Sequence, residues 1–385
     1  MMKETAYWIS LAHIPKWGYK KINSLIVKFF HDFQIPIDEF FHLDETDWKN
    51  KFHLEDKDIN DLKKAKSEVA SNSFLAESLL NQGYEILPII SSDYSKTLKE
   101  NLKTSNSPPI LYLKGNKNIL GENSVAIVGS RNASKKALDF ADNIAKLASN
   151  KFKVVVSGFA KGVDKQALDS AIKYKGQSII VLPQGILTFD SGFKKYYKQI
   201  IDGDILVLST FFPKAPWKAE LAMARNPIIY GLAKEIFVAE SSDKGGTWSG
   251  VIDGLRKGRK IYVLKPEIDD NNANNLLIQK GAIPVDFEGN ELYKEYDIVE
   301  NHLLVSAEEQ VETYDLEKKI HEILTVKPMT ATEILAKLDI DWKIKKMNNY
   351  LKKLNFIQFE KSGRRNIYKL RESIERFQHK LFDNS

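Results

Sequence analysis

Short, fully apolar runs punctuate the middle of the chain, and most of them stop at a small residue. Val125 to Val128 is one such run, followed at once by Gly129-Ser130-Arg131. Val154 to Val156 is another, followed by Ser157-Gly158. Runs of this length, apolar at every position and β-branched, predict strands buried on both faces, as in parallel sheets. Between them, Ala137, Phe140, Ala141, Ile144, Leu147 and Ala148 recur at helical spacing, so the segment from Ala133 to Ala148 predicts a helix. Beyond the second turn, Asp164 stands where a helix N-cap belongs, ahead of Ala167, Leu168, Ala171 and Ile172.

The alternation continues. Strands are predicted at Ser178 to Leu182, Ile205 to Ser209, Glu235 to Ala239 and Lys260 to Leu264, with an edge strand at Ala282 to Val285. Helices are predicted at Phe193 to Ile201, in part of Lys218 to Leu232, and at Trp248 to Lys257, the last opened by the turn Lys244-Gly245-Gly246-Thr247. Pro227, inside the second of these, is expected to begin, kink or break its helix. Strands alternating with helices at this spacing predict an α/β fold with a Rossmann-like, doubly wound parallel sheet. Ligands of such sheets bind at the carboxyl ends of the strands, where backbone N–H groups and helix N-termini favour phosphate.

The flanks have a different pattern. Residues 1 to about 80 are helical in periodicity, with Trp8, Leu11, Ile14, Ile22, Leu25 and Phe29 inward and a break at Pro15 to Gly18. This predicts a small N-terminal helical domain, either for DNA backbone or for packing and dimerisation. Tyr84 to Pro88 and Ile110 to Leu113 are strands in a bridge to the sheet. At the other end, Tyr314 to Leu324, Met329 to Leu338 and Asp341 to Leu354 are three helices, the second opened by a capping box of Thr330 and Glu333. Two strands follow around Lys361-Ser362-Gly363-Arg364-Arg365, which predicts a C-terminal winged helix. The expected organisation is a helical domain over 1–80, the Rossmann-like domain over 81–290, a linker over 291–312 and the winged helix over 313–385. The wing arginines and Lys343, Lys345, Lys346, Lys352 and Lys353 form a basic surface that suits either nucleic acid or protein.

Composition narrows the chemistry. The 385 residues are 43% hydrophobic and 28% charged, ordinary for a soluble globular chain. There is no cysteine, which excludes disulfides, thiolate catalysis and cysteine-based zinc sites. The seven histidines are scattered, so no metal site is expected. A net charge of +6 permits a polyanionic partner without demanding one. With no leader-like opening and no apolar run of about 20 residues, a cytoplasmic location without membrane contact is expected.

Candidate site residues sit at the glycine turns. Gly129, Gly158 and Gly162 serve close backbone approach or positive φ. Arg131 either binds phosphate bidentately or staples its loop through an ion pair. Lys161, between Gly158 and Gly162, points into the same cleft or into solvent. Ser130 and Ser157 donate to phosphate or cap their turns. Phe159 stacks a base or belongs to the core. Arg225 and Asn226 contact phosphate and base edge if Pro227 allows it. Gly246 and Thr247 complete the set, while Trp248 lines the cleft or packs on the sheet.

The motifs Ile127 to Arg131 and Ser157 to Asp164, the Asp93 to Gly115 stretch, the Tyr7-Trp8 opening and the C-terminal helices together resemble the DNA-processing protein family DprA, also called Smf. The resemblance runs from the start of the chain to its end, and is that of a diverged member: Pro227 stands where the family's R-N-R pattern has its second arginine. The resemblance implies a non-enzymatic single-stranded DNA binder that dimerises through its Rossmann-like domain and helps load RecA, with no cofactor. It assigns Arg131 to phosphate, Gly158 and Lys161 to the second loop of the pocket, and Arg225 and Asn226 to the R-N-R site. An alternative is a nucleotide sensor or phosphoribohydrolase-like enzyme on the same fold, of whose P-G-G-x-G-T-x-x-E motif only Gly245-Gly246-Thr247 remains. A DprA-like protein recruited to defence against foreign DNA is a third reading.

Overall fold

A computed structural model describes residues 2–292 except 269, and residues 316–370 except 317, 318, 341, 353, 355, 356, 363 and 364. The chain divides into two units, Met1–Leu292 and Tyr293–Ser385.

In the first unit the predicted strands assemble into one nine-stranded sheet in the order β1-β2-β6-β5-β4-β3-β7-β8-β9. These are β1 (Glu85–Pro88), β2 (Ile110–Gly115), β3 (Ser124–Val128), β4 (Val154–Ser157), β5 (Ser178–Val181), β6 (Ile205–Ser209), β7 (Glu235–Val238), β8 (Ile261–Leu264) and β9 (Ile283–Val285). From β6 to β9 every neighbouring pair is parallel. The bridge strands add an antiparallel edge, β1 on β2 and β2 on β6. The sheet is therefore mixed at one end.

The helices of this unit are α1 (Met2–Ala12), α2 (Tyr19–Ile26), α3 (Ile37–His42), α4 (Glu45–Asn50), α5 (Asp56–Ser67), α6 (Val69–Asn81), α7 (Lys96–Leu102), α8 (Lys135–Asn150), α9 (Val163–Lys173), α10 (Asp190–Lys195), α11 (Tyr197–Ile201), α12 (Ala219–Leu232), α13 (Gly245–Arg256) and α14 (Asn274–Gln279). The pleat of β3 explains the double winding. Val125 and Ile127 face one way and pack with Phe140, Ala141 and Ile144 of α8 and Ala167 and Ala171 of α9. Ala126 and Val128 face the other way, into the core that holds Ile228, Ile229 and Leu232 of α12. That second core continues without a break into the N-terminal helices, through Trp8, Leu11, Ile22 and Phe29. Polar ties reinforce the junction: the Asn23 amide donates to the carbonyls of Thr104 at 2.7 Å and Ser107 at 2.8 Å, and His13 shares a 2.9 Å hydrogen bond with the Tyr112 hydroxyl of β2.

Local boundaries depart from the sequence reading at four places. Gly162, at φ +85°, is the N-cap of α9, and Asp164 lies in its first turn, buried. The run expected as one helix over Phe193 to Ile201 is interrupted at Tyr196 and becomes α10 and α11. α12 continues through Pro227, which neither starts nor ends it. Packing of its buried residues on both sides of the proline holds the helix across the missing N–H. α13 begins at Gly245, so the glycine pair expected as a turn is its first turn.

The second unit has α15 (319–326), β10 (Met329–Thr330), α16 (Ala331–Leu338), α17 (Ile344–Leu351), β11 (Ile357–Ser362) and β12 (Arg365–Leu370). Its strands pair antiparallel in the order β10-β12-β11. Ile320, Ile334, Met347, Leu351 and Tyr368 form its core. The capping box is present: Thr330 accepts from the Glu333 N–H, and the Glu333 carboxylate accepts from the Thr330 N–H at 2.7 Å. Residues 293–312 of the expected linker, Lys353, and Gly363 and Arg364 of the expected wing lie outside the described residues.

Candidate anion-binding cleft

Strand order places the reversal of winding at the centre of the sheet. From β3 the chain winds through β4, β5 and β6 to one side, then returns to β7 on the other side of β3. The carboxyl ends of β3 and β7 therefore open the crevice where doubly wound sheets hold ligands. Hydrogen bonds stitch the loops that rim it. The Ser130 N–H donates to the Glu240 carbonyl at 2.8 Å, the Thr247 hydroxyl to the Gly129 carbonyl at 3.0 Å, and the Val163 N–H to the Ser130 carbonyl at 3.2 Å. A Cβ at Gly162 would lie 2.3 Å from the Ser130 carbonyl oxygen, so the second glycine loop closes on the first only because that side chain is absent.

The result is a cleft of about 380 Å³. Seven of the sequence-predicted residues line it: Gly129, Ser130, Arg131, Arg225, Asn226, Gly246 and Thr247. Arg131 is exposed and forms no ion pair among the described residues. Lys244, the N-cap of α13, supplies no capping side chain, and Gly245 follows at φ +89°. The first N–H groups of α13 thus meet the cleft without an intrahelical partner, an arrangement that attracts anions.

The remaining predicted residues have other surroundings. Ser157 is fully buried, and its hydroxyl donates to the Asp164 carbonyl at 2.7 Å, so it caps its own loop rather than reaching the cleft. Phe159 is half-buried, its ring edge-on to Phe189 and Tyr196 with centroids 5.0 and 5.7 Å away. Aromatic packing, not an open face, occupies it. Lys161 is exposed and does not line the cleft. Gly158 and Gly162 act through their missing side chains. Trp248 packs partly buried against the core.

Behind the cleft is a charge arrangement that residue spacing alone does not reveal. Arg225 is 3% exposed, and its Nη1 donates to the Val181 carbonyl at 2.8 Å. Its Nε has no partner. The buried carboxyl of Asp164 converges on the same point from α9. A Cβ at Gly158 would lie 1.9 Å from Arg225 Nη1 and 2.5 Å from Asp164 Oδ2. Gly158 is therefore the gap that lets guanidinium and carboxylate face each other. Burial pushes the Asp164 carboxyl above the usual carboxylate range, against the pull of Arg225, the N–H groups of Gly158 and Ala160, and Arg131. Burial likewise lowers Arg225, opposed by Asp164. Asp164 was legible as part of the S-G-x-A-K-G-x-D pattern, but as a cap and not as the counter-charge of Arg225.

With this geometry in view, the known proteins it matches are informative. Residues 85–297, more than half of the chain and including every residue that lines the cleft, match the family of DNA recombination-mediator protein A. The chain belongs to that family. It is 33% identical over 180 residues to DNA processing protein DprA of Streptococcus pneumoniae, covering 46% of this chain and 63% of that protein. The aligned stretch is thus less than two thirds of that relative. It is 30% identical over 208 residues to DNA processing protein DprA of Bacillus subtilis, covering 52% of this chain and 68% of that one. The X-ray structure of the S. pneumoniae DprA superimposes with a TM-score of 0.56 at 25% identity, over 74% of this chain and 95% of that chain. The mixed α/β fold is that of the DprA/Smf family, as the order of motifs implied. Among the described residues there is no cluster of acidic or histidine side chains fit for a metal, and no helix long and apolar enough to cross a membrane.

Proposed function

We propose that this protein binds single-stranded DNA through the cleft at the ends of β3 and β7, acting as a DprA-type recombination mediator. In this reading it protects incoming DNA in recombination or transformation and assists loading of RecA. It works in the cytoplasm as a homodimer, without catalysis or cofactor, and its C-terminal unit is a winged helix. The observation that carries the reading is the convergence on one hollow of the exposed Arg131, outside any ion pair among the described residues, and the uncapped first turn of α13, with Arg225 held against Asp164 behind them. Two donors of positive potential at one place suit a phosphodiester better than a neutral ligand. Membership of a recombination-mediator family supports the same partner class.

A titration of single- and double-stranded oligonucleotides at two salt concentrations tests the proposal. Single strands bind more tightly, and affinity falls steeply with salt because phosphate neutralisation releases counterions. Equal or absent binding of both strands sinks it. Asp164 gives the enzymatic alternative its one foothold, a buried carboxyl of raised pKa lining an anion cleft. Incubation with a nucleotide panel followed by assay for free base decides that point. Base release that disappears in Asp164→Asn favours the enzyme.

A further inference from the structure

The C-terminal unit carries a charged surface of its own. From Trp342 to Phe359 the chain has five lysines and no acidic residue. α17 buries Met347 and Leu351, one turn apart, in the core of that unit, which fixes its inward face. The other side presents Lys345, Lys346 and Asn349, all exposed, with Lys343 and Lys352 exposed at the two ends of the helix. None of these four lysines is in an ion pair among the described residues. Trp342, Lys343, Lys345, Lys346, Asn349 and Tyr350 surround a hollow of about 480 Å³. The helix is anchored from behind. The Tyr368 hydroxyl of β12 donates to Asn348 Oδ1 at 2.6 Å, which ties α17 to the hairpin of β11 and β12. Upstream, α16 ends at Asp339, whose φ of +51° turns the chain toward α17.

Uncompensated lysines call for a polyanion, and the rings beside them say which kind. Single strands are held by stacking their bases on open aromatic faces. Here the rings are occupied. Trp342 stands edge-on to Tyr350 with centroids 5.4 Å apart, and the Lys346 ammonium lies 3.9 Å over its ring. Lys352 lies 5.2 Å over the ring of Phe359, which also leans on Tyr368 at 5.8 Å. The surface offers ammonium groups and an amide on a firm helix in place of a stacking platform. Its length is also suited to a duplex. Helical rise sets Lys343 and Lys352 about 13 Å apart along the axis, close to the width of the B-DNA major groove. A second helix exposed after a short turn is the element that other helix-turn-helix proteins lay in that groove.

We propose that α17 docks in the major groove of duplex DNA, as a second nucleic-acid site separate from the cleft of the sheet. Lys343 and Lys352 meet phosphates on the two walls of the groove. Asn349, between them, reaches base edges, which an amide reads through paired hydrogen bonds. The proposal stands on the C-terminal unit alone and does not require the single-strand reading of the cleft.

The experiment measures binding of the full chain to a short blunt duplex and to a single strand of the same length, over a range of salt. The variants are Lys343→Ala with Lys352→Ala, Lys343→Arg with Lys352→Arg, and Arg131→Ala. The natural sequence binds the duplex at low salt. The double alanine variant binds it about tenfold more weakly, with a salt slope shallower by about two, one for each lost phosphate contact. Its single-strand affinity is unchanged. Lys343 supplies no capping side chain to α17, so its loss leaves the helix start as it was. The double arginine variant keeps duplex affinity, and Arg131→Ala leaves it unchanged. Absence of duplex binding by the natural chain, or full duplex affinity in the double alanine variant, overturns the proposal. So does duplex affinity lost with Arg131→Ala, or lost equally in the arginine and alanine pairs. An equal loss for single strand and duplex assigns the surface to single strands. Polyglutamate that displaces the duplex as well as unlabelled duplex does, at equal charge, assigns it to an acidic protein; either result overturns the duplex assignment.

Discussion

The two edges of the same sheet carry two hollows, and their charges are handled in opposite ways. At the carboxyl ends of β3 and β7, Arg131 is exposed and in no ion pair among the described residues, while the buried Arg225 faces Asp164. At the amino ends of the strands, a hollow of about 230 Å³ is lined by Val125, Lys153, Glu235, Phe237, Tyr262 and Glu291 among others. There Lys153 is paired with Glu235, and Phe237 stacks on Tyr262 with centroids 4.8 Å apart. Size does not separate the candidate cleft from a packing recess here. The separation is made by an exposed arginine outside any ion pair, at the edge where helix N-termini also point.

This contrast can be broken or sharpened in decreasing steps. Arg225→Ala leaves the Asp164 carboxyl buried without its counter-charge. It is expected to cost about 3 kcal/mol or more of folding stability, read as a lowered midpoint in denaturant unfolding. A midpoint within experimental error of the parent's would show that the guanidinium is not the partner of Asp164. Arg131→Ala, on the exposed rim, leaves stability intact. It weakens single-strand binding about tenfold at low salt, about 1.4 kcal/mol, and makes the salt slope shallower by about one. Full affinity in that variant would remove Arg131 from the site.

Asp164→Asn tests the direction of a titration. A carboxyl whose folded pKa is raised stabilises the fold fully below its unfolded value and loses that contribution as pH rises through the folded value. The amide removes a carboxylate that burial disfavours and also the counter-charge of Arg225, so the sign is read from the pH dependence rather than from the stability at one pH. The stability of the variant relative to the parent falls as pH falls toward the ordinary carboxylate range, where the parent's own carboxyl becomes neutral. Thermal melts across that range check the sign, and a relative stability that grows on acidification contradicts it. The smallest effect belongs to the other edge. Glu235→Gln breaks a partly exposed ion pair, changes stability by less than about 1 kcal/mol, and leaves oligonucleotide affinity untouched. A loss of DNA affinity there would erase the distinction between the two hollows.

The central strands and their glycine turns were legible because each signal is local. Val125 to Val128 is apolar at every position, and that pattern arises only when both faces are covered. The helix around Pro227 shows where such local signals stop: it neither begins nor ends at the proline. A proline's local effect is plain in sequence, whereas the tertiary burial of Ile228, Ile229 and Leu232 that carries the helix past it is not. Lys161 and Phe159 shared the glycine loop's promise in sequence. The fold sends Lys161 to solvent beyond the cleft and seats Phe159 against Phe189 and Tyr196.

Periodicity and turn chemistry by themselves determined the alternating architecture, its parallel centre, and a glycine turn after β3 that rims the candidate cleft. Tertiary structure alone decided that β1 and β2 run antiparallel along the edge, that the N-terminal helices share the sheet's core, and that Arg225 faces Asp164 across Gly158. The reason is range. Side-chain pattern reports the nearest few residues, while strand order and crossovers choose which distant charges meet, and in the low dielectric of the interior those meetings set the chemistry of the site.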